Sequence, residues 1–485
     1  MNRQKRIRVK SFLSGVFSFI IVFVVAFFGI QFFTKTGIFR IPGVVYYDDS
    51  LSQSELDKLN TIFTDEVDLD KDVHISAYEV TELGNLIEGE FLIDISVPVT
   101  DFYESRSDTS DFSENEYDYI SINDLDFSKK LLSVDGAYFL DTFDSGAVFR
   151  IIKFDSELYS EEIQPLVASA FSSTFPNPEN VLTFAQTGVT AMSRGMNAKL
   201  YQVGDATFFT KNIGEFLSTF DLTHTSNESS FSDFANSKNI CSDGRFIDTL
   251  TSIGLDIVEL TGNHNQDCGD ESALQTIDIY SQNGIQIVGG GKTANEAAIP
   301  LEIEKKNNHI TMLAYNLSTG GATYDASPGA NQYYEENAVA EIGAAKERGD
   351  FVIVDIQYYE CSAYVSEYED ATCDYANSAA GDQVGFFRHL IDLGADLVVG
   401  TSAHQPQTFE LYNDGVIYYG LGNLFFDQYW WPGTTRSLVL GHYFYNDKLL
   451  QTRLTPTVYD NNFQTSILDK ETAEWFIGRL AKIHP

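Results

Sequence analysis

Seven short apolar runs recur between Val181 and Gly422, and this recurrence limits the architecture more than any other property of the chain. They are VLTFAQ (181–186), LDIVELT (255–261), IQIVGG (285–290), ITMLAYN (310–316), FVIVDIQYY (351–359), DLVVGT (396–401) and VIYYGLG (416–422). Between several of them lie stretches with helical spacing: ESALQTIDIYSQNG (271–284), EENAVAEIGAAKERG (335–349) and DQVGFFRHLIDLG (382–394). In the last, Phe386, Leu390 and Leu393 fall on one face and Gly394 supplies a stop. Strand and helix alternating in this way predict a layered α/β domain, with binding sites at the carboxyl ends of the strands.

The chain has 485 residues, more than one hydrophobic core normally organises. From 37 to 178 it is aromatic and acidic, with alternating runs such as FLIDISVPV (91–99) and AVFRIIKF (147–154) that predict a smaller α+β module. Within it, 101–118 reads as an exposed loop or hinge with a solvated acidic surface, since no D-x-D-x-D-G calcium pattern is present. Two prolines and two asparagines in STFPNPENV (173–181) mark the boundary to a larger domain, 179–485.

The first 36 residues read differently. Arg3, Lys5, Arg6, Arg8 and Lys10 crowd the N-terminus, and residues 11–33 carry no charge. This predicts a single-pass transmembrane helix in the cell membrane, its N-terminus cytoplasmic and the main domain extracytoplasmic. Gln31-Phe32-Phe33-Thr34 offers no small-x-small cleavage site, so the segment reads as an uncleaved anchor. The 31 basic against 70 acidic residues give a formal charge of -39, which speaks against nucleic acid as a partner.

Outside the cytoplasm cysteines tend to pair. Cys361 and Cys373 bracket a short acidic segment and make the more economical bridge, leaving Cys241 with Cys268; four cysteines allow three pairings, and sequence does not choose among them. No C-x-x-C spacing supports metal binding by the thiols.

Polar motifs follow several of the apolar runs. LTGNHNQDCGD (260–270) brings an amide, Asn263, an imidazole, His264, and a carboxylate, Asp267, together after a strand; such a set suits metal ligation or proton transfer, and equally a helix entrance capped by Asn263 or Asp270. HTSNESSF (224–231) offers His224, Asn227 and Glu228 without helical period; taken alone it reads as a surface loop, and Asn227 also begins an N-x-S sequon. His404 follows DLVVG in GTSAHQPQTFE. YGLGNLFFDQ (419–428) carries Asn423, Asp427 and Gln428 after two glycines.

Taken in order, LTFAQTGVTAMSRG, SNE, LTGNHNQDCGD, GGGKTANEAAIP, IQYYE, GTSAHQPQ and YYGLGNLFFDQ resemble the CapA family of capsule and poly-γ-glutamate synthesis proteins, over roughly residues 180–430. The resemblance implies a four-layer α-β-β-α, metallophosphoesterase-like domain tethered outside the membrane. It also implies work alongside other capsule or polymer synthesis subunits. Three expected metal ligands are absent: no carboxylate stands in Gln186-Thr187-Gly188-Val189-Thr190, Gln357-Tyr358-Tyr359-Glu360 replaces a His-Trp-Gly-type motif, and Ser402 takes the place of the first histidine of Gly-x-His-x-His.

What the resemblance leaves is Glu228, Asn263 and His404 as metal ligands, and His264 as catalytic acid with Asp267 orienting it. Asn227, Gln357, Glu360, Asn423 and Asp427 would line the site. One carboxylate, one amide and two imidazoles could hold a single divalent ion (Mn, Zn or Mg) in an incomplete shell, but hardly a pair. Three readings follow: a metal-assisted hydrolase or transferase, a metal-free hydrolase relying on His264 and His404, and a non-catalytic polymer-binding or scaffold subunit of an envelope export complex. An anionic polymer or a glycan is the expected ligand. The charge of -39 sits awkwardly with polyglutamate unless cations intervene.

Overall fold

A computed structural model of the chain describes residues 6–7, 45–63, 73–86, 90–109, 117–154, 169–171, 177–317, 320–321, 323, 326–358, 382–429 and 432–482. The uncharged segment 11–33, Glu360, Cys361 and Cys373 lie outside those residues. Among the described residues no helix is long and apolar enough to cross a membrane. The strand Arg6–Ile7 pairs antiparallel with Val45–Tyr46, a pairing that a chain threaded through a bilayer between those two segments could not keep.

By internal packing the chain divides into two units: Met1–Val99, Asp108–Asp124 and Leu132–Phe175 form the first, and Thr100–Ser107, Leu125–Leu131 and Pro176–Pro485 the second. The division therefore comes a few residues before the expected boundary at 178, and the second unit takes in two excursions from the earlier sequence. Residues 101–107 are exposed at Asp101, Glu104 and Arg106, as their polarity predicts, but half-buried at Phe102 and Tyr103. Tyr103 stacks on Phe409 with ring centroids 6.0 Å apart, and its hydroxyl accepts from the Leu411 N–H at 3.0 Å, so one aromatic pair outweighs a run of acids.

The first unit is α+β, as expected. Its sheet runs in the order Arg6–Ile7, Val45–Tyr47, Val73–Val80, Val148–Phe154, Glu90–Asp101, Asp118–Ser121. The helix Gln53–Ile62 starts at a capping box, in which Ser52 and Glu55 each accept from the other's backbone N–H, and buries Leu59 and Ile62 against Ile75, Ile152 and Phe154.

The second unit holds two sheets. One has the order Gln286–Val288, Ile257–Glu259, Leu222–Asn227, Leu182–Thr190, Arg436–Tyr445, Lys448–Tyr459, Thr465–Ile467, with Asn423–Phe425 also joined to Leu182–Thr190. The other runs Leu301–Lys305, Asn308–Asn316, Phe351–Gln357, Leu397–Gly400, Gly415–Tyr418, Phe409–Tyr412. Leu182, Phe184 and Ile257 of the first sheet share a core with Met312, Ile353 and Leu397 of the second, so the sheets face each other. The first sheet's other face packs on helices Gly195–Val203 and Asp270–Gln282, and the second's on Glu335–Arg348 and Gln383–Asp392. Helix, sheet, sheet and helix make the four layers that were expected.

All seven apolar runs are strands, and all three helical stretches are helices. Leu222–Asn227 is also a strand rather than the loop its polarity suggests. It is buried throughout and inside its sheet, and its two inner threonines are paired to main chain: Thr225 donates to the Gly188 carbonyl at 3.0 Å, and Thr223 to that of Leu217 at 2.9 Å. Hydrogen bonding here replaces apolar burial, which leaves no hydrophobic signal to read.

Buried polar groups also join the sheets. The Gln186 amide donates to Asp355 at 2.6 Å, and His224 Nε2 lies 3.1 Å from the other Asp355 oxygen. His442 Nε2 stands 3.3 Å from the Gln186 amide oxygen, and burial pushes its pKa down to about 3.

Candidate functional site

In each sheet the parallel strands end toward the same side, and the polar motifs leave from those ends. Glu228 follows Leu222–Asn227 directly and is fixed by its N–H to the Thr190 carbonyl at 2.9 Å. Gly262 lets the next loop come close: a Cβ there would stand 2.5 Å from the Glu228 Cα, and only glycine avoids that contact. Asn263 is thereby laid beside Glu228, and its side-chain oxygen accepts from Gln357 Nε2 at 3.2 Å, linking it to the facing sheet.

His404 comes from the loop after Leu397–Gly400 and is almost wholly buried. Its Nδ1 lies 2.9 Å from the Asn423 side-chain oxygen. Asn423 spends its NH2 on the Gln428 side-chain oxygen and the Thr434 carbonyl, so the atom facing His404 is an acceptor and Nδ1 carries the proton. The lone pair is then on Nε2, 3.7 Å from Glu228 Oε2. Burial pushes the His404 pKa down to about 4, opposed by Asn423 and reinforced by His264 and Arg194, so the ring is neutral at neutral pH.

His264 Nδ1 meets Asp267 Oδ2 at 2.8 Å, in a turn closed by the Asp267 N–H on the His264 carbonyl. The histidine side chain is 22% and the aspartate 41% exposed, so the pair faces solvent. The carboxylate fixes the tautomer and turns Nε2 to other work. Asp270 begins the helix, whose N-cap is Gly269, so neither Asn263 nor Asp270 acts as its cap.

Other expected residues have different employment. Asn227 is buried, accepts from the Thr190 hydroxyl at 3.2 Å and donates to the Ser229 carbonyl at 2.8 Å; it shapes the Glu228 turn, and its burial removes it as a glycosylation acceptor. Asp427 receives Arg194 Nε at 2.9 Å and the Gly195 N–H at 2.8 Å. Val189, at the place of the expected metal-bridging acid, is buried and bonded through its N–H to the Gly422 carbonyl. Cys241 and Cys268 are joined, Cα atoms 6.0 Å apart, one residue beyond Asp267; this is one of the pairings the sequence allowed.

Two participants were missed. Glu259, fully buried on Ile257–Glu259, accepts from the Thr261 N–H at 2.6 Å, and burial together with Asp355 pushes its pKa up to about 8. Arg194 lies over the Phe426 ring, its carbon 5.0 Å from the centroid, and Phe426 in turn packs on His404 with centroids 5.3 Å apart. Both residues lie inside quoted motifs, yet nothing in spacing distinguishes them.

Among the described residues, no three His, Cys, Asp or Glu side chains are grouped to hold a metal ion. Glu228 and His404 place a carboxylate oxygen and an imidazole nitrogen 3.7 Å apart, while the Asn263 side-chain oxygen accepts from Gln357.

The comparisons with known proteins decide the family. Residues 183–428, 246 of 485, match the family described as bacterial capsule synthesis protein PGA_cap. The chain belongs to that family. The match begins within the strand Leu182–Thr190 and ends at Gln428, taking in Glu228, Asn263, His264 and His404. Among curated relatives, the PGA biosynthesis protein CapA of Bacillus subtilis is 27% identical over 200 residues, covering 40% of this chain and 49% of the relative. The capsule biosynthesis protein CapA of Bacillus anthracis is 24% identical over 202 residues, covering 40% and 46%. A probable polyglutamine synthesis accessory protein of Mycobacterium tuberculosis is 27% identical over 191, covering 37% and 47%. The chain thus spans about half the length of the curated relatives it matches. A hypothetical protein from Thermus thermophilus aligns structurally over 59% of this chain and 96% of its own, at 11% identity and a TM-score of 0.29, too low to carry an argument.

Proposed function

We propose that this PGA_cap protein works in capsule or poly-γ-glutamate production outside the cell membrane, using Glu228, Asn263, His264 and His404. The observation that carries this reading is the family match over 183–428, a range that contains all four residues. Glu228, Asn263 and His404 would hold a single divalent ion, in keeping with a metallophosphoesterase-like ancestry. Such an ion, when bound, would polarise a phosphoryl or acyl oxygen. His264 would deliver or take a proton at Nε2, with Asp267 keeping Nδ1 protonated.

The segment 11–33 would anchor the protein, with residues 1–10 in the cytoplasm, and Arg6–Ile7 would then leave its pairing with Val45–Tyr46. Protease treatment of intact cells tests this: the chain beyond 36 should be degraded and a tag at residue 1 protected.

A second reading is favoured by Val189 and by the lack of a three-ligand cluster among the described residues. It is a non-catalytic subunit that binds polymer or other synthesis subunits. Deleting the gene from a producing cell and restoring it as wild type or His264→Ala separates the two. Loss of surface polymer rescued by wild type alone supports catalysis, provided the variant accumulates normally. Rescue by both supports a binding role. Unchanged polymer after deletion would remove the protein from this process.

A further inference from the structure

In the first unit the helix Gln53–Ile62 covers only part of one sheet face. Its Leu59 and Ile62 share a core with Ile75, Ile152 and Phe154. Alternation along Val148–Phe154 keeps Arg150 and Val148 on the same face as Ile152 and Phe154. Register then sets Asp94 beside Arg150 and Ser96 beside Val148, and on the next strand Ser121 beside Ser96 and Tyr119 beside Pro98. Glu55, in the first turn of the helix, pairs with Arg150 and ends the cover. Beyond that pair lies a cavity of about 670 Å3, open on one side and within the size range of small-molecule sites. Glu79, Val80, Glu82, Ser96, Tyr119 and Val148 line it.

The lining is chemically one-sided. Among the described residues that form it there are two glutamates and no Lys, Arg or His. Arg150 reaches Glu79 at 3.0 Å, but Glu55 already matches its charge, and its guanidinium also donates to the Ser50 carbonyl at 2.7 Å. Asp94, which accepts from Ser121 at 2.6 Å and from the lining Ser96 at 3.3 Å, adds a further carboxylate close by. Val80, Val148 and Tyr119 contribute apolar surface, and an aromatic face also attracts a cation. Carboxylates beside apolar surface suit a positive head on a hydrocarbon stem. We infer that the first unit carries a ligand site of its own in this cavity, and that the site takes an alkylammonium group, the ammonium at Glu79 and Glu82 and the stem against Val80, Val148 and the Tyr119 ring. The site is independent of the PGA_cap match, which begins at 183.

The test is binding by the full-length protein in detergent micelles, with cadaverine, Nα-acetyl-lysine methylamide and, as the uncharged isostere, Nα-acetyl-norleucine methylamide. The ammonium probes should bind with an affinity that falls as salt is raised, and the norleucine probe should not bind. Binding of cadaverine alone identifies a free amine as the ligand, and binding of the lysine probe a lysine side chain. Glu82→Gln should weaken the bound ammonium by about two- to fivefold, the worth of one solvent-accessible ion pair, and Ser96→Phe, which fills the cavity, should abolish binding. In the wild type, carbodiimide should couple bound cadaverine to Glu79 or Glu82 ahead of Glu271 and Glu304, exposed acids of the second unit, a readout independent of whether the variants fold. Failure of both ammonium probes to bind, equal binding of the norleucine probe, or coupling no faster at Glu79 and Glu82 than at Glu271 and Glu304 overturns the inference. So does ammonium binding that is unchanged in Glu82→Gln or in folded Ser96→Phe.

Discussion

Glu228 and His404 meet across the two sheets of the second unit, a carboxylate oxygen 3.7 Å from the imidazole Nε2. Each follows a strand of a different sheet, so the contact depends on how the sheets are stacked. If the pair holds a divalent ion, adding Mn2+ or Zn2+ should raise the Tm of wild type through binding to the folded state alone. Glu228→Gln, which keeps the shape and removes the charge, should weaken binding by about tenfold or more in calorimetric titration. An unchanged affinity would remove Glu228 from the site.

Gly262 holds the Asn263 loop against Glu228. Gly262→Ala puts a methyl group 2.5 Å from the Glu228 Cα and 2.9 Å from the Asn227 carbonyl oxygen, and backbone cannot rotate away as a side chain can. We expect a loss of about 1–3 kcal/mol in urea denaturation. The Asn263–Gln357 hydrogen bond should lengthen or break in a crystal structure of the variant.

Glu259 and His442 make stability depend on pH in opposite senses. Glu259 has a folded pKa raised from 4.5 to about 8, so it is protonated in the fold while the unfolded chain releases the proton. Its contribution is full below pH 4.5 and is lost as pH rises through 8. His442 has a folded pKa lowered from 6.5 to about 3, so its contribution is full above pH 6.5 and is lost as pH falls toward 3. Thermal melts should therefore decline between pH 6.5 and 8, and Glu259→Gln should flatten that decline. A parallel decline in the variant would show that Glu259 is not its cause.

The Cys241–Cys268 bridge ties the segment after Glu228 to the residue next to Asp267. Across its sequence separation of 27, replacing both cysteines by serine should cost about 3 kcal/mol by loop-closure entropy. The His264–Asp267 pair should also lose order, read as faster amide exchange over 262–268 relative to Glu335–Arg348. Equal exchange in both proteins would confine the bridge to global stability.

The two layers of strand and helix were legible because each element repeats a local pattern. FVIVDIQ is a short, mostly apolar run that reads as an interior strand and is buried throughout, and DQVGFFRHLIDLG keeps one apolar face and a glycine stop. Asn263, His264 and His404 stood out in the sequence because glycine-containing turns follow such strands. Local pattern failed where pairing partners come from elsewhere in the chain. Leu222–Asn227 is a buried strand in which Thr225 and Thr223 find main-chain acceptors on Leu182–Thr190 and the turn before it, and Tyr103 is packed because Phe409 lies opposite. Asn227 and Asp427 are held by Thr190, Ser229 and Arg194, partners that no local spacing announces. The order of elements and the family were thus written along the chain. Which polar side chains face one another was decided only when two sheets stacked, because the energy of a buried polar group depends on its partner, and the partner is set by tertiary distance.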